Sequence, residues 1–451
     1  MASDQRERVD VVVVGARVAG AAAAAELARA GRTVVTVDSS TFPSDTLSTH
    51  VVWPETVAEI RDLGGLAELL AGGSPKMLGV HVDHGGYVAE GRFSPVAGID
   101  FGLCPRRTNL DAVLVRCARS AGADVREATT LTDLIWYDGR VVGVRVKDRA
   151  GGTNEIYAKL VIGADGRRST VAQLVGAQTP YRSDDNGRGL VFAYVEDPMG
   201  SAERQVLSQW RVGDTLTNYF PTDDGAAVVL FMGPKAHVAR FGQDLSYWDH
   251  MVAASPHLRD RIGGGRVLTK LRKATDTGSY FRRSSGPGWA LVGDAGHFKD
   301  PVIAQGIRDA VHHGRLLGQQ AAPVLDDSAR LGHTLRRWER ARDRECLAAY
   351  YWGLRVTRTH PVSPVEREAF RDLAATPALA DELADVFGRR RKPRQLSSLP
   401  RLARWTGRAL RHGSDPRQVL REVRGELALD FAQGRDTAGL AWRGRVGSSA
   451  S

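Results

Sequence analysis

The chain has 451 residues, of which 42% are hydrophobic and 25% charged, and its formal net charge at pH 7 is +10. These proportions are typical of a globular protein with a sizeable core. Between Arg389 and Arg424 there are twelve basic and two acidic residues, which account for the whole positive excess. Because the excess of basic over acidic residues is confined to a C-terminal segment, rather than carried by a module that reads bases, we expect no nucleic-acid partner.

The sequence offers no targeting or membrane-spanning signal. Residues 1–10 are polar, and no run of about eighteen apolar residues follows, so a cytoplasmic location is expected. The three cysteines, Cys104, Cys117 and Cys346, lack C-x-x-C spacing and are predicted to be reduced packing residues. No set of histidines or carboxylates has metal-ligand spacing, so no metal site is predicted.

The first forty residues predict a strand, a helix and a second strand. Val9–Val14 is a β-branched apolar run, an alanine-rich helix extends to about Ala30, and a second apolar run ends at Asp38. This is the size of one βαβ unit, and the continuous apolar character of both strands predicts a parallel sheet covered on both faces.

The turn between the first strand and the helix reads "GARVAG" and resembles a dinucleotide-binding turn with one change. Gly15 can make the tight turn and Gly20 can allow close helix packing, but Arg17 occupies the place of the middle glycine. We predict that the backbone at Arg17 stands slightly back from a pyrophosphate, with its side chain turned aside or contacting phosphate or the C-terminal helices. The cofactor-binding residues predicted here are Gly15, Arg17, Val18, Ala19, Gly20, Asp38 and Ser39.

The middle of the chain predicts a second sheet. A helix over 107–121 leads into short strands joined by "DG" at Asp138–Gly139 and "GG" at Gly151–Gly152, which then return to an apolar strand, "KLVIGAD". Residues 179–277 alternate apolar and polar and predict a mostly antiparallel sheet. Beyond about Asp326 the chain is predicted to be helical nearly to its end.

Two further motifs follow strands. "KLVIGADGRRST" ends a strand on Asp165–Gly166, and "GWALVGDAGHFKDPVIAQGIRDAV" ends another on Gly293–Asp294, followed by Pro301 and a helix start at Gln305–Gly306. Together with the glycine turn, these motifs resemble the FAD-dependent monooxygenases of the para-hydroxybenzoate hydroxylase type and the related geranylgeranyl reductases and flavin halogenases. The resemblance covers roughly residues 8–400.

The resemblance implies FAD and assigns roles to the motif residues. Asp294 would accept from a ribityl hydroxyl, and the helix at Gln305 would direct N–H groups toward the N1–C2=O edge of the flavin. Arg107 matches an arginine that contacts the phosphates or ribityl chain, with Arg106 as an alternative. Two departures are Ala304, where many relatives have glycine, and Ala172, where they have arginine. The implied cofactor-binding residues are Arg107, Asp165, Gly166, Gly293, Asp294, Pro301, Gln305, Gly306 and Ile307.

The implied fold is α/β: a Rossmann-like FAD-binding domain with an inserted antiparallel β-sheet substrate domain and a C-terminal helical region. The expected boundaries are 1–178 for the first part of the FAD-binding domain with its β-meander, 179–280 for the substrate domain, 281–325 for the return segment, and 326–451 for the helical region with its basic tail.

The segment "FPSDTLSTHVVWPETV" stands where reductases of this superfamily carry Cys-Gly-Gly, and the resemblance places it beside the flavin. Asp45, Thr46 and Ser48 can cap the following turn. Alternatively, His50 is a catalytic group that hydrogen-bonds the substrate or the oxygenated flavin. His297 is expected to support the cofactor, and Lys299 could be a charge on the substrate side.

In the resembled fold the antiparallel sheet roofs the flavin, which makes its aromatic residues candidates for contact with substrate. The predicted substrate-binding residues are Trp210, Tyr219 and Pro221, and Phe220 and Phe231 are further candidates, although strand aromatics are often plain core. An aromatic-lined pocket favours a bulky aromatic or hydrophobic small-molecule substrate.

The leading functional hypothesis is an FAD-dependent monooxygenase that uses NAD(P)H and molecular oxygen to hydroxylate an aromatic or hydrophobic specialised metabolite. No Trp-x-Trp-x-Ile-Pro halogenase segment occurs, and there is no second glycine-rich fingerprint for NAD(P)H. The nicotinamide therefore binds transiently, or a reductase partner supplies electrons. The alternatives are an FAD-dependent reductase or dehydrogenase acting on a C=C bond and a non-redox flavin-binding scaffold or cyclisation protein. The basic amphipathic helix around 399–411 is expected to pack on the domain, so membrane contact is not expected.

Overall fold

The computed structural model describes residues 7–200, 203–358 and 360–446 of the chain. The strands, in chain order, are β1 (Glu7–Val14), β2 (Val34–Val37), β3 (Gly79–His84), β4 (Tyr87–Arg92), β5 (Asp124–Arg126), β6 (Thr130–Tyr137), β7 (Arg140–Lys147), β8 (Thr153–Gly163), β9 (Arg182–Asp184), β10 (Arg188–Glu196), β11 (Val206–Val212), β12 (Thr215–Pro221), β13 (Ala226–Pro234), β14 (Arg272–Ala274), β15 (Ser279–Phe281), β16 (Ser285–Gly286), β17 (Trp289–Leu291) and β18 (His297–Phe298). The α-helices are α1 (Val18–Arg29), α2 (Pro54–Leu63), α3 (Leu66–Ala71), α4 (Arg107–Ser120), α5 (Thr170–Leu174), α6 (Lys235–Arg240), α7 (Ser246–Ala253), α8 (Pro256–Ile262), α9 (Gly306–Ala321), α10 (Ser328–Val356), α11 (Pro364–Ala375), α12 (Pro377–Phe387), α13 (Pro393–Leu396), α14 (Leu399–Arg411) and α15 (Pro416–Val446).

The first sheet confirms the predicted Rossmann-like unit. Its strand order is β16-β17-β8-β1-β2-β5, and the pairs from β17 to β5 are parallel. The meander β6–β7 pairs antiparallel with β8, and β6 and β7 are joined at Asp138 and Gly139, both with positive φ. Two central turn residues in the left-handed region are the geometry of a tight hairpin, which explains the Asp-Gly pair.

Helices α1 and α9 pack closely beside this sheet. Residues 21–25 of α1 are all alanine and all buried. On α9, a Cβ added at Gly314 would lie 2.6 Å from the Ala19 carbonyl oxygen, and one at Gly318 would lie 2.8 Å from that of Ala23. Small residues on both helices therefore allow their backbones to approach, which places the N-termini of both helices at one end of the sheet.

The second sheet is mostly antiparallel, as predicted, but it is not continuous in sequence. Its order is β14-β10-β13-β12-β11-β3-β4, and β11 pairs in parallel with β3. Strands β3 and β4 come from residues 79–92, within the segment expected to belong to the FAD-binding domain. They join this sheet because the edge of β11 offers backbone hydrogen bonds that neighbouring segments in sequence do not take.

The two faces of the second sheet pack against different elements. Leu190, Phe192 and Tyr194 lie in a buried cluster with Trp53 and Ile303, toward the first sheet. The residues on the opposite face pack against α6, α7 and α8 in a separate cluster. Side-chain alternation along each strand thus decides which residues can approach the cofactor domain.

The C-terminal region is helical, as predicted. Helix α10 packs against α9 and α15, and α11 and α12 cover strand β4. Within the residues that the structure describes, no helix is both long and apolar enough to cross a membrane.

Candidate FAD site and the wall beside it

A cavity of about 500 Å³ lies where β1, β2 and β8 end and α1 and α9 begin. This is the position at which open parallel sheets bind their ligands. Of the predicted cofactor-binding residues, those that line it are Gly15, Arg17, Val18, Ala19, Asp38, Ser39, Arg107, Asp165, Gly166, Asp294, Pro301, Gly306 and Ile307.

The glycine turn has the geometry that its sequence indicates. Gly15 has a φ of +101°, and a Cβ there would lie 2.5 Å from the Ala164 carbonyl oxygen. A Cβ at Gly20 would lie 1.8 Å from the Gly15 carbonyl oxygen, so Gly20 serves packing and does not line the cavity. Among the residues that the structure describes, no side chain caps the N-terminus of α1, which leaves its first N–H groups for an anion.

The Arg17 side chain turns aside from the helix N-terminus. Its guanidinium donates to Asp111 Oδ2 at 2.5 Å and to Ser44 Oγ at 2.8 Å. Asp111 is fully buried and also accepts from Arg107 Nε at 2.9 Å. Arg17 therefore ties the turn to α4 and to the loop after β2, and these described contacts involve none of the C-terminal helices.

The two acids that follow strands β2 and β8 organise backbone turns. Asp38 Oδ2 accepts from the backbone N–H of Ala16, and its Oδ1 accepts from that of Ser40, each at 2.8 Å. Asp165 accepts from the Ser169 hydroxyl at 2.6 Å and from the Val171 N–H at 3.1 Å, which fixes the start of α5. Both carboxylates line the cavity as well as holding its walls.

Asp294 differs from these acids because its carboxyl oxygens accept no hydrogen bond within the described residues. It lies in a single 3₁₀ turn, Gly293–Ala295, and lines the cavity. Burial raises its pKa to about 6, against the opposing effect of Arg167 and Arg107. An unpaired carboxyl facing a cavity fits a hydroxyl donor such as the ribityl chain of FAD.

Three predicted cofactor residues do not reach the cavity, and this corrects their assignment. Gly20 is a packing glycine, as described above, and Gly293 is another, because a Cβ there would lie 2.8 Å from the Ala19 Cβ. The Gln305 amide points toward the C-terminal region, where it donates to the Phe387 carbonyl at 2.8 Å and accepts from Arg389 Nε at 2.9 Å. Gln305 instead caps α9 with its backbone, so the helix begins at Gly306.

Ala304, the first departure from the resembled motif, has a φ of +48°. This left-handed conformation favours glycine, which explains why relatives carry glycine there. The Ala304 carbonyl accepts from Trp53 Nε1 at 2.8 Å, a contact that helps to hold the loop in this conformation.

Positive charge surrounds the cavity. The basic residues that line it are Arg17, Arg107, Arg167, Arg168 and Lys299. The alternative arginine, Arg106, instead pairs with Asp223 at 2.8 Å and also pairs with Asp224, both in the second sheet's β12–β13 connection. Free helix N–H groups, basic side chains and an unpaired carboxyl together match the pyrophosphate and the hydroxyls of FAD.

The comparisons with known proteins agree with this geometry. A family model described as "FAD binding domain" matches residues 8–344. The chain belongs to this family. Its members are oxidoreductases, so the chain is an FAD-dependent enzyme, and its relatives include monooxygenases, halogenases and reductases.

Two curated relatives and two solved structures illustrate the range of the family. The chain is 31% identical to a menaquinone reductase of Mycolicibacterium smegmatis over 69% of this chain and 76% of that protein. It is 28% identical to a digeranylgeranylglycerophospholipid reductase of Methanocella arvoryzae over 71% and 79%. A flavoprotein/dehydrogenase from Cytophaga hutchinsonii superposes with a TM-score of 0.74 at 20% identity, covering 85% of this chain and 93% of that one. The myxobacterial chondrochloren halogenase has a TM-score of 0.70 at 24% identity, covering 84% and 92%. The last two likenesses show the fold.

The loop after β2 lines one side of the cavity with Thr46–Thr49 and then buries His50 completely. His50 has a φ of +66°, a strained conformation for a residue of this size. Its Nε2 lies 2.8 Å from the Tyr194 hydroxyl, and its Nδ1 has no partner within the described residues. Burial, helped by Arg107 and Arg272, lowers the pKa of His50 to about 3, so the ring is neutral at pH 7.

Tyr194 was not singled out by the sequence, because one tyrosine in a strand carries no local signal. Its hydroxyl lies between His50 Nε2 and Asp45 Oδ1, the latter at 3.5 Å, and Asp45 pairs with Arg272 at 2.9 Å. Burial and the charge of Asp45 raise the pKa of Tyr194, which keeps its hydroxyl protonated. The structure thus joins β10 to the cavity loop through one tyrosine and one neutral histidine.

The predicted substrate-binding residues lie on the wrong face of the second sheet, which corrects the sequence prediction. Trp210, Tyr219 and Phe231 belong to the cluster that packs against α6, α7 and α8. Pro221, two residues after Tyr219 on β12, shares that face. Phe220 lies on the face toward the first sheet. The sequence showed that side chains alternate between the two faces of each strand. Which face lies toward the cofactor domain is decided by the helices inserted after β13, which cover the other face.

A buried polar cluster lies behind β18, where the sequence predicted no metal-ligand spacing. Cys346 Sγ lies 3.4 Å from both His297 Nε2 and His313 Nε2, and Asp309 Oδ2 lies 3.5 Å from His297. Lys299 forms an ion pair with Asp309 while also lining the cavity. The Lys299 ammonium thus neutralises Asp309, the one carboxylate of this cluster. Cys346, like Cys104 and Cys117, is buried and forms no disulfide.

Proposed function

We propose that this enzyme is an FAD-dependent reductase that acts on a carbon–carbon double bond of a hydrophobic small molecule, with NAD(P)H as the source of electrons. The observation that carries the proposal is the Tyr194 hydroxyl, which is hydrogen-bonded to His50 directly after the loop that lines the cofactor cavity and lies among apolar side chains. Both curated relatives described above are reductases, which favours this reaction over oxygenation.

Reduction of a double bond adds a hydride to one carbon and a proton to the other. Bound, reduced FAD supplies the hydride. The Tyr194 Oη holds the proton, His50 Nε2 orients this hydroxyl, and the Asp45 carboxylate, which accepts from it through Oδ1, can relay a proton from solvent to Tyr194 after transfer. Asp45 is partly exposed and so connects this short chain of groups to solvent.

The wall around Tyr194 supports a hydrophobic substrate. The side chains that surround it on the same face of the sheet are apolar or aromatic, and they include Leu190, Phe192 and Leu230. A water-poor wall of this kind binds apolar groups and leaves the tyrosine and the histidine as its orienting polar groups.

A second candidate is the monooxygenase of the sequence analysis, which would hydroxylate an aromatic specialised metabolite with NAD(P)H and oxygen. It is favoured by the loop after β2, which lacks the Cys-Gly-Gly that the resembled reductases carry in this segment and instead contains Ser48, Thr49 and His50. In that reaction the same Tyr194 hydroxyl would accept a hydrogen bond from the substrate's hydroxyl group.

Anaerobic turnover separates the two reactions. The purified protein, checked for flavin absorbance, is mixed with NADH or NADPH and then with menaquinone, digeranylgeranylglycerophospholipid or a phenol panel. We expect reoxidation of the flavin without oxygen and a product heavier by two hydrogen atoms. A product that forms only in air and incorporates labelled oxygen would establish the monooxygenase instead. Bound flavin that neither nicotinamide reduces would indicate a partner reductase.

The role of Tyr194 is tested with Tyr194→Phe. We expect FAD binding and flavin reduction by the nicotinamide to stay unchanged, while the oxidation of reduced flavin by substrate slows by about 10²–10⁴-fold. The matched control is Tyr219→Phe, a fully buried tyrosine on the opposite face of the sheet, which we expect to leave that rate unchanged. If substrate oxidised the reduced flavin equally fast in wild type and Tyr194→Phe, Tyr194 would not be the proton donor.

A further inference from the structure

The C-terminal helix α15 has apolar residues on two sides. Its inner side packs against the rest of the chain through Val419, Val423, Leu429 and Ala432. On its outer side Leu420, Leu427 and Phe431 are exposed by 51%, 44% and 75%. The buried apolar side chains on the inner side explain how α15 is held in place. No element in the described part of the chain covers the three apolar side chains on the outer side.

The outer side of α15 is also basic. Arg417, Arg421 and Arg424 are exposed there, and none forms an ion pair within residues 7–200, 203–358 and 360–446. With about 100° between successive residues of a helix, the three arginines fall within about 60° of arc, and the three apolar residues form an adjacent stripe about 40° wide.

The acids of α15 all face inward. Glu426 pairs with Arg355 at 2.9 Å and with Arg358 at 3.0 Å, Asp430 pairs with Arg355 at 2.5 Å, and Asp436 pairs with Arg182. Glu422 accepts from the Val365 N–H at 3.2 Å. Because the acidic side chains lie on the inner side, the described outer side of α15 carries only basic and apolar side chains.

The basic helix singled out by the sequence, α14, is different. Arg401 pairs with Glu382 at 2.8 Å, Arg408 pairs with Asp372 at 2.5 Å, and Arg404 pairs with the same aspartate at 2.5 Å. Because acids on α11 and α12 pair with these three arginines of α14, their charge is compensated within the fold, whereas the charge of Arg417, Arg421 and Arg424 on α15 is not.

We propose that the outer side of α15 is a docking surface for an anionic phospholipid membrane, with the helix lying in the plane of the interface. An interfacial helix inserts an apolar stripe among the acyl chains while flanking arginines reach the phosphates, and this helix has both stripes side by side. A second copy of the chain would bring like-charged arginines together across a two-fold axis. A nucleic acid would leave Leu420, Leu427 and Phe431 in water. The inference is independent of the substrate proposed above.

Vesicle binding tests this surface. The full-length holoprotein is sedimented with vesicles of phosphatidylcholine alone or mixed with phosphatidylglycerol. We expect binding to the anionic vesicles that weakens with added salt and little binding to the neutral ones. Arg417→Gln/Arg421→Gln/Arg424→Gln should lower the partition coefficient about 100-fold, since each basic residue near an anionic surface contributes about fivefold.

Phe431→Ser tests the apolar stripe and should also weaken vesicle binding. Its matched control is Tyr137→Ser, at an aromatic residue that is equally exposed, at 76%, but lies at the meander turn after β6. Flavin absorbance verifies that each variant is folded. The proposal is overturned if wild type ignores anionic vesicles, or if the control and Phe431→Ser bind equally. It is also overturned if wild type is a dimer that Phe431→Ser dissociates, or if the arginines bind nucleic acid but not anionic vesicles.

Discussion

At the scale of single residues, Asp111 explains how the turn tolerates Arg17. A buried carboxylate needs partners, and Asp111 has two guanidinium groups, those of Arg17 and Arg107. The arginine in the glycine turn is therefore a structural group that shares an acid with a residue lining the cofactor cavity. Its contacts with Ser44 extend the same network to the loop that leads to His50.

We predict that Asp111→Asn is far more damaging than Arg17→Ala. Removing the carboxylate leaves two cations uncompensated and should lower the free energy of unfolding by about 3–5 kcal/mol. Arg17→Ala leaves Asp111 paired with Arg107, so it should cost about 1 kcal/mol and retain FAD. Urea denaturation and flavin absorbance measure both effects. Asp260→Asn, at an exposed pair with Arg259, is the control and should change stability by less than about 1 kcal/mol. Complete flavin loss in Arg17→Ala would show instead that Arg17 clamps the cofactor.

At the scale of elements, the contact between α1 and α9 decides the shape of the cofactor cavity. The starts of both helices line the cavity, and their backbones approach where α9 carries glycine. A shift of one helix moves the N–H groups that an anion would bind. Gly314 and Gly318 lie one helical turn apart on the side of α9 that faces α1, which is where the two backbones approach each other.

Gly314→Ala should therefore weaken both stability and FAD binding. Its Cβ would lie 2.6 Å from the Ala19 carbonyl oxygen, so the helices must separate, at a cost of about 1–3 kcal/mol. In Gly407→Ala on α14, no heavy atom lies within 4 Å of the new Cβ, and we expect a gain of about 0.5–1 kcal/mol. Thermal unfolding and flavin titration distinguish the two variants. Undiminished FAD affinity in Gly314→Ala would show that the cavity does not depend on this contact.

At the scale of the whole molecule, partly buried ion pairs join elements that are far apart in sequence. His312 Nδ1 on α9 donates to Glu59 Oε1 on α2 at 2.6 Å, and its Nε2 lies 3.5 Å from Glu345 Oε2 on α10. Burial alone would lower the pKa of His312, but the hydrogen bonds to Glu345 and Glu59 outweigh burial and raise it to about 9. The charged imidazolium thus stabilises the assembly of three helices.

This linkage predicts a pH dependence. Because the folded-state pKa of His312 lies above its unfolded value of 6.5, the contribution is complete below pH 6.5 and is lost as the pH rises through about 9. The loss should amount to at most about 3 kcal/mol. Denaturant unfolding across this range should show the decline in wild type and in the control His333→Gln, at an exposed histidine of α10. His312→Gln should flatten it, and an unchanged decline in that variant would assign the effect to other groups.

Much of the fold and of the cofactor site was predictable because the signals are local. Three such signals are a glycine turn after an apolar strand, acids at strand ends such as Asp38 and Asp294, and a two-residue hairpin. Each reflects a local backbone conformation that depends on only a few consecutive residues. By contrast, β3 and β4 join a sheet formed mainly more than a hundred residues later, and no local pattern encodes that pairing.

By itself, the amino-acid sequence determined the parallel βαβ unit, the order of the FAD motifs and the helical C-terminal region, because each depends on neighbouring residues. Only the tertiary structure decided that Gln305 faces the C-terminal segment, that Trp210 and Tyr219 face away from the cofactor domain, and that Tyr194 meets His50. Those outcomes depend on contacts between distant parts of the chain. A strand alternates its side chains in either register, and a helix can turn either face inward, until the neighbouring elements are in place.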